Sequence, residues 1–222
     1  MIPVWSRRRV LTATAGGFLG LTVPKATLAQ SAVQKPSKYK PDEYSVTAPV
    51  SIEVNARPLA GFDTRDRSRT RFGALEFRSG LVLTSGFRGF GGLSGLRLDA
   101  KGERFIAISD KGSWFTGRIV YRGKEMTGLD DVEASPMLGP DGRPITARGW
   151  FDTESIALDG SAVYVGVERA NRLLRYDFAN GFTRAPGEEV PLPPLARRLP
   201  NNKGLEALVF VPKGQPLAGT LI

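Results

Sequence analysis

The sequence predicts an all-β fold, a β-propeller of four-stranded blades, from three observations. From Val50 onward the chain is a succession of short apolar alternations cut by turn residues. Its 26 glycines and 16 prolines in 222 residues are the punctuation of short strands and tight turns. No stretch beyond the first 29 residues sustains helical spacing over three turns. A strand–turn–strand unit also recurs, headed by Ser94, Glu154 and Glu206, at intervals of 60 and 52 residues. Hairpins repeating every 40–50 residues or so are the mark of propeller blades.

The N-terminus reads as an export signal covering residues 1–29. Ser6-Arg7-Arg8-Arg9-Val10-Leu11 places adjacent arginines before an apolar pair, the twin-arginine pattern, and Ala26-Thr27-Leu28-Ala29 supplies small residues for cleavage after Ala29. Lys25 near the end of the apolar stretch suits the same route. The competing reading is a membrane anchor, but Leu11 to Val23 is only 13 residues and contains three glycines. A bilayer-spanning helix needs about 20 residues. The expectation is therefore a periplasmic or secreted protein that engages the twin-arginine export machinery and keeps no stable membrane span after cleavage. Residues 30–50, polar and bearing Pro36, Pro41 and Pro49, read as a flexible lead-in to a domain at 51–222.

Within that domain, Ser51-Ile52-Glu53-Val54 and Ala74-Leu75-Glu76-Phe77 alternate, and Leu81-Val82-Leu83 follows. A glycine-rich loop at 86–92 leads into the first unit: Leu93 to Asp99, a turn at 100–103, then Arg104 to Ile108. Asp130-Asp131 and Asp141-Gly142 read as turns. The second unit runs from Thr153 to Asp159, turns at Gly160-Ser161, and continues from Ala162 to Val167. The third starts with Leu205 to Val211, turns at 212–214, and is entering its next strand at Ile222. About three blades are thus expected. Because propellers close with about 4–8 blades and three would leave an open edge, a longer parent is expected too.

Composition excludes several chemistries. The chain has no histidine and no cysteine, so it cannot build a Ser-His-Asp triad, a Cys-His pair, a His-ligated metal site or a disulfide framework. Any metal must be held by oxygen, which favours calcium, magnesium or manganese. The net charge is +9, but Arg7, Arg8, Arg9 and Lys25 lie in the signal, leaving +5 for the rest. That value does not call for a nucleic-acid partner. The arginines at 65, 67, 69 and 71 alternate with polar residues, without interleaved aromatics, and read as a solvated loop. Gly92-Leu93-Ser94-Gly95-Leu96 approaches a nucleophile elbow, but its second glycine comes one residue early and no histidine base exists. The loop at 86–92 lacks the Lys-Ser/Thr ending of a phosphate loop.

The acids are the chemical signal that remains. Each unit opens with a polar residue (Ser94, Glu154, Glu206), and the paired strand closes with an acid, Asp110 in the first and Glu168 in the second. An antiparallel hairpin sets the start of one strand beside the end of the next, so Glu154 belongs near Glu168 and Ser94 near Asp110. In a propeller the innermost strands line the channel, and these acids converge on one mouth. Clustered carboxylates repel one another unless a cation separates them, and calcium accepts six to eight oxygens. Lys111, Arg169 and Lys203 stand ready to pair with the acids or to hold an anionic substrate. Alternatively, such residues only cap strands and bond neighbouring backbone. Trp114 and Phe115, just beyond Asp110, are expected either in a channel wall or between blades.

Five segments in order carry a resemblance: Gly92-Leu93-Ser94-Gly95-Leu96, Ile108-Ser109-Asp110-Lys111-Gly112, Asp152-Thr153-Glu154-Ser155-Ile156-Ala157, Glu168-Arg169-Ala170-Asn171-Arg172 and Asn202-Lys203-Gly204-Leu205-Glu206. Together they resemble the phytase-like domain family, also labelled esterase-like activity of phytase, from about residue 50 to the end. The resemblance implies an exported six-bladed propeller related to calcium-dependent phytases that hydrolyse phosphomonoesters. In those enzymes calcium held by channel-mouth carboxylates binds phosphate and activates water. Carried over, it implies Asp110, Glu154, Glu168 and Glu206 as metal ligands, Glu154 and Glu206 as the catalytic carboxylates, and Lys111, Arg169 and Lys203 against a small anionic or phosphorylated substrate. Ser94 departs from the acidic pattern. The alternative is a non-enzymatic propeller that binds a ligand or protein partner.

Overall fold

The structure, a computed structural model, describes residues 46–200 and 203–222. The expected signal and residues 30–45 of the lead-in lie outside the described residues. The described chain is all-β: β1 (Val50–Ser51), β2 (Asn55–Pro58), β3 (Arg71–Phe72), β4 (Leu75–Glu76), β5 (Leu81–Thr84), β6 (Leu93–Leu98), β7 (Arg104–Ser109), β8 (Ser113–Arg122), β9 (Glu125–Pro136), β10 (Thr153–Asp159), β11 (Ala162–Val167), β12 (Arg172–Asp177) and β13 (Glu188–Val190). Short 3-10 turns are its only helical elements, and no helix among the described residues is long and apolar enough to cross a membrane.

Two antiparallel meanders dominate. The first sheet has the order β1-β9-β8-β7-β6 and the second β10-β11-β12-β13, while β2–β5 and β3–β4 form separate pairs. The second sheet is a four-stranded meander and the first a five-stranded one, in which β1 adds to the β6–β9 meander; no closed ring forms among the described residues. Alternation explains how they stack. Ile108, Trp114, Ile156, Val163, Val165, Leu174 and Tyr176 point into one core shared by both sheets. Their neighbours Ala107 and Phe115 face outward from the first sheet, onto Val46, Phe87 and Phe90. Ala157 and Leu173 face outward from the second, onto Leu208, Phe210 and Leu221. Trp114 is fully buried and meets Tyr176 and Phe178 edge-on at 5.1 and 5.3 Å, so it is an inter-sheet contact. Arg97 on β6 adds a polar tie by donating to the carbonyl of Ile156 on β10.

Three local expectations change. The last residues of the lead-in pack: Val46 is buried and Val50 pairs with Ala134. Asp130-Asp131 is not a turn between strands but lies within β9, where Asp131 adopts φ 52° and both carboxylates bind Arg118. In the third unit the expected strand from Leu205 is reduced to a bridge between Phe210 and Leu221, flanked by backbone bonds between Val209 and Ile222. The reason is local. Leu205 turns to φ 58° and its carbonyl accepts from the Ser155 hydroxyl, which takes that part of the chain out of a ladder. Asp141-Gly142, in contrast, does form a turn, with Gly142 at φ 72° bonded back to the Gly139 carbonyl at 2.9 Å.

Candidate metal centre

The two units superpose bond for bond where their acids sit. In the first, β6 pairs with β7 through Leu93↔Ser109 and Gly95↔Ile108, with a register slip at Ser94. In the second, β10 pairs with β11 through Thr153↔Val167 and Ser155↔Gly166, with the same slip at Glu154. One extra residue on one strand is a β-bulge, which bends the strand and re-aims a side chain. The amide of Asp110 then donates to the Gly92 carbonyl at 2.9 Å, and that of Glu168 to the Asp152 carbonyl at 2.8 Å. Gly92 and Asp152 are therefore equivalent and adopt the same left-handed backbone, φ 61° and 67°. Glycine holds that conformation freely, whereas aspartate holds it at a cost of about 1–2 kcal/mol.

A further bond brings the units together: the Asp152 amide donates to the Asp110 carbonyl at 2.6 Å. The result is a cluster of three carboxylates where β10 starts and β11 ends, with Asp110, just past the end of β7, beside it. Asp152, Glu154 and Glu168 each offer an oxygen, and these oxygens all lie within 4.8 Å of one another. Asp110 stands beside Asp152, half-buried, with its Oδ1 shielded from solvent and without a hydrogen-bond partner among the described residues. Its carboxyl has that room because position 92 is glycine: a Cβ there would sit 2.1 Å from Oδ1.

The electrostatics show the crowding. Burial raises the Asp110 carboxyl above the ordinary range; the Lys111 charge pulls it back and Asp152 pushes it up again. Burial also raises Glu154; a hydrogen bond with Ser94 opposes this, and Asp152 and Glu168 reinforce it. Glu168 is buried, 3% exposed, with Oε1 accepting from the Gly204 amide at 3.2 Å. Arg169 approaches Asp152 Oδ2 to 3.4 Å while its guanidinium lies over Phe151 at 4.8 Å. Carboxyls raised by burial and by one another are a site in need of positive charge.

The group thus contains two of the expected ligands, Glu154 and Glu168, while Asp110 stands outside it beside Asp152, with Arg169 and Lys111 at the margin. Glu206 and Lys203 are exposed and outside the three-carboxylate group. They flank it through the neighbouring backbone: Gly204 binds Glu168, and Leu205 accepts from Ser155 on β10. Asp152 is the member that sequence reasoning missed. Its signal was present, since an acid two residues before Glu154 and aligned with Gly92 belongs to the repeat.

The donor set fits a hard cation. Two oxygens bound to one calcium ion at about 2.3–2.6 Å lie no more than about 5 Å apart. The three carboxylate oxygens meet that limit. The group can therefore hold a metal ion.

The family model described as Phytase-like: Esterase-like activity of phytase matches residues 88–221. No curated protein and no solved structure matches the chain.

Proposed function

The chain belongs to the phytase-like family, and on that premise we propose that it is an exported, calcium-dependent phosphoric-ester hydrolase whose site is the carboxylate group at the inner strand ends. The observation that carries this reading is the convergence of Asp152, Glu154 and Glu168 on one point, inside the segment the family match covers. Calcium bound there would supply positive charge to a phosphate and to an attacking water.

The chain's own residues have distinct parts in this reading. Glu168, buried and fixed by the Gly204 amide, is the rigid ligand. Asp152 is held by backbone bonds on both sides, its amide to Asp110 and its carbonyl to Glu168. Glu154, on the bulge and with its carboxyl raised above the ordinary range by burial, is the group placed to take and return a proton. Arg169, with an exposed side chain, supplies a guanidinium for a phosphate oxygen, and Lys111 balances Asp110. Glu206 and Lys203, exposed and outside the three-carboxylate group, are the remaining expected catalytic and substrate-binding residues.

The test is phosphate release from a panel of phosphomonoesters, with calcium and again after chelation. Calcium-dependent release is the expected result. Thermal stabilisation by calcium with no release from any ester would replace this reading with a binding role.

A further inference from the structure

The segment from Arg57 to Arg78 precedes the family match and takes no part in the carboxylate site. It holds six arginines against three acids. All six (Arg57, Arg65, Arg67, Arg69, Arg71 and Arg78) are exposed. Two of the acids are spent within the segment, Asp63 on Arg69 at 3.4 Å and Glu76 on Arg78 at 3.5 Å. Asp66 accepts from the amide and hydroxyl of Ser68. The surface left over is cationic, and it continues across a groove of about 360 Å³ lined by Arg67, Arg78 and, from the β8–β9 hairpin, Arg122 with a single acid, Glu125.

Large apolar side chains project from the same surface. Leu75, beside the β3–β4 turn, is 74% exposed and Phe62 65%. Leu59 adds a third apolar side chain, also exposed. These are not loose ends. Phe62 packs edge-on against Phe72 at 5.3 Å and lies 6.1 Å from Phe77, while Arg69 covers the Phe72 ring at 4.8 Å. Asp63 accepts from the Arg65 amide at 2.9 Å, and the Phe77 amide donates to Thr70 at 2.7 Å. The segment thus exposes apolar side chains among arginines, with the Arg69 guanidinium set over the Phe72 ring.

We propose that this face is a docking surface for an anionic lipid bilayer, with Leu75 and Phe62 entering the headgroup–acyl boundary and the arginines resting on lipid phosphates. The combination selects the partner. Arginines alone fit any polyanion, but projecting aliphatic and aromatic side chains gain nothing from a nucleic-acid backbone and gain burial in a bilayer. Phe62 is engaged with Phe72 and Phe77 instead of being free to stack on a base.

The experiment is co-sedimentation of the full chain with vesicles of equal parts phosphatidylglycerol and phosphatidylcholine, beside vesicles of phosphatidylcholine alone. Binding to the first and not the second is expected. Release is expected on going from about 0.1 M to about 1 M salt, as the screening length falls from about 10 Å to about 3 Å. Leu75→Ser, at a side chain that leaves the fold untouched, should weaken the partition about tenfold, as loss of one inserted aliphatic group predicts. Arg67→Gln with Arg71→Gln should weaken it as well. Failure to bind the phosphatidylglycerol vesicles overturns the proposal. So does binding that Leu75→Ser leaves unchanged and heparin displaces, because that result describes a polyanion site without insertion.

Discussion

The amide of Asp152 donates to the carbonyl of Asp110 at 2.6 Å, and this bond joins the end of β7 to the start of β10. It carries the acids of one sheet to those of the next and turns two repeated hairpin ends into one constellation. The arrangement is costly without a cation: Asp152 holds a left-handed backbone, and Asp110 and Glu154 are both raised in pKa. The predictions follow from that tension.

Asp152→Gly should separate stability from binding. Glycine takes φ 67° without strain and removes a like charge from Asp110 and Glu154, so the metal-free protein should gain about 1 kcal/mol. Calcium affinity should fall at least about tenfold, since one carboxylate ligand is lost. Thermal unfolding and calcium titration of the same variant check both halves.

The reverse change at the equivalent position should do harm. Gly92→Ala places a Cβ against the Asp110 carboxylate and forces alanine to φ 61°. A loss of about 1–3 kcal/mol is expected, measured by denaturant unfolding.

The pH dependence has a definite sign. Asp110 and Glu154 have raised pKa values in the folded state, so the fold holds their protons more tightly than the unfolded chain does. Their contribution to stability is present below the ordinary carboxyl values and is lost as pH rises through the raised ones. The metal-free protein should therefore lose thermal stability as pH rises above the ordinary carboxyl values of about 4, and Glu154→Gln should flatten that loss. Asp141, held far below its ordinary value by Arg148 and Arg143, acts in the opposite sense and only at more acidic pH.

Tyr176 supplies a control far from the acids. Its hydroxyl is buried in the inter-sheet core and has no hydrogen-bond partner among the described residues. Tyr176→Phe keeps the edge-on contact with Trp114 and should raise stability by about 1 kcal/mol, again by denaturant unfolding.

Much of this was legible in the sequence, for reasons visible in particular residues. The inner hairpins alternate cleanly because one face meets the shared core and the other meets a different layer, as Ile108 beside Ala107 and Ile156 beside Ala157 show. The pairing of Glu154 with Glu168 followed from hairpin geometry alone. Strands β8 and β9 were hidden because Asp130-Asp131 reads as a turn, and slips near Gly117 and between Val120 and Tyr121 break their alternation. Asp152 was hidden for a related reason. The bulge at Glu154 shifts the period, and whether an acid before a strand joins its face or the preceding turn depends on that bulge.

Calorimetric titration of calcium into the metal-free chain, for the wild type and for Glu154→Gln with Asp152→Asn, tests the account most directly. Saturable binding by the wild type, lost or weakened by at least about a hundredfold in the double variant, is the predicted result for removing two of three carboxylate charges. Equal affinity in both proteins would show that calcium binds elsewhere and would remove the carboxylate group as the functional centre.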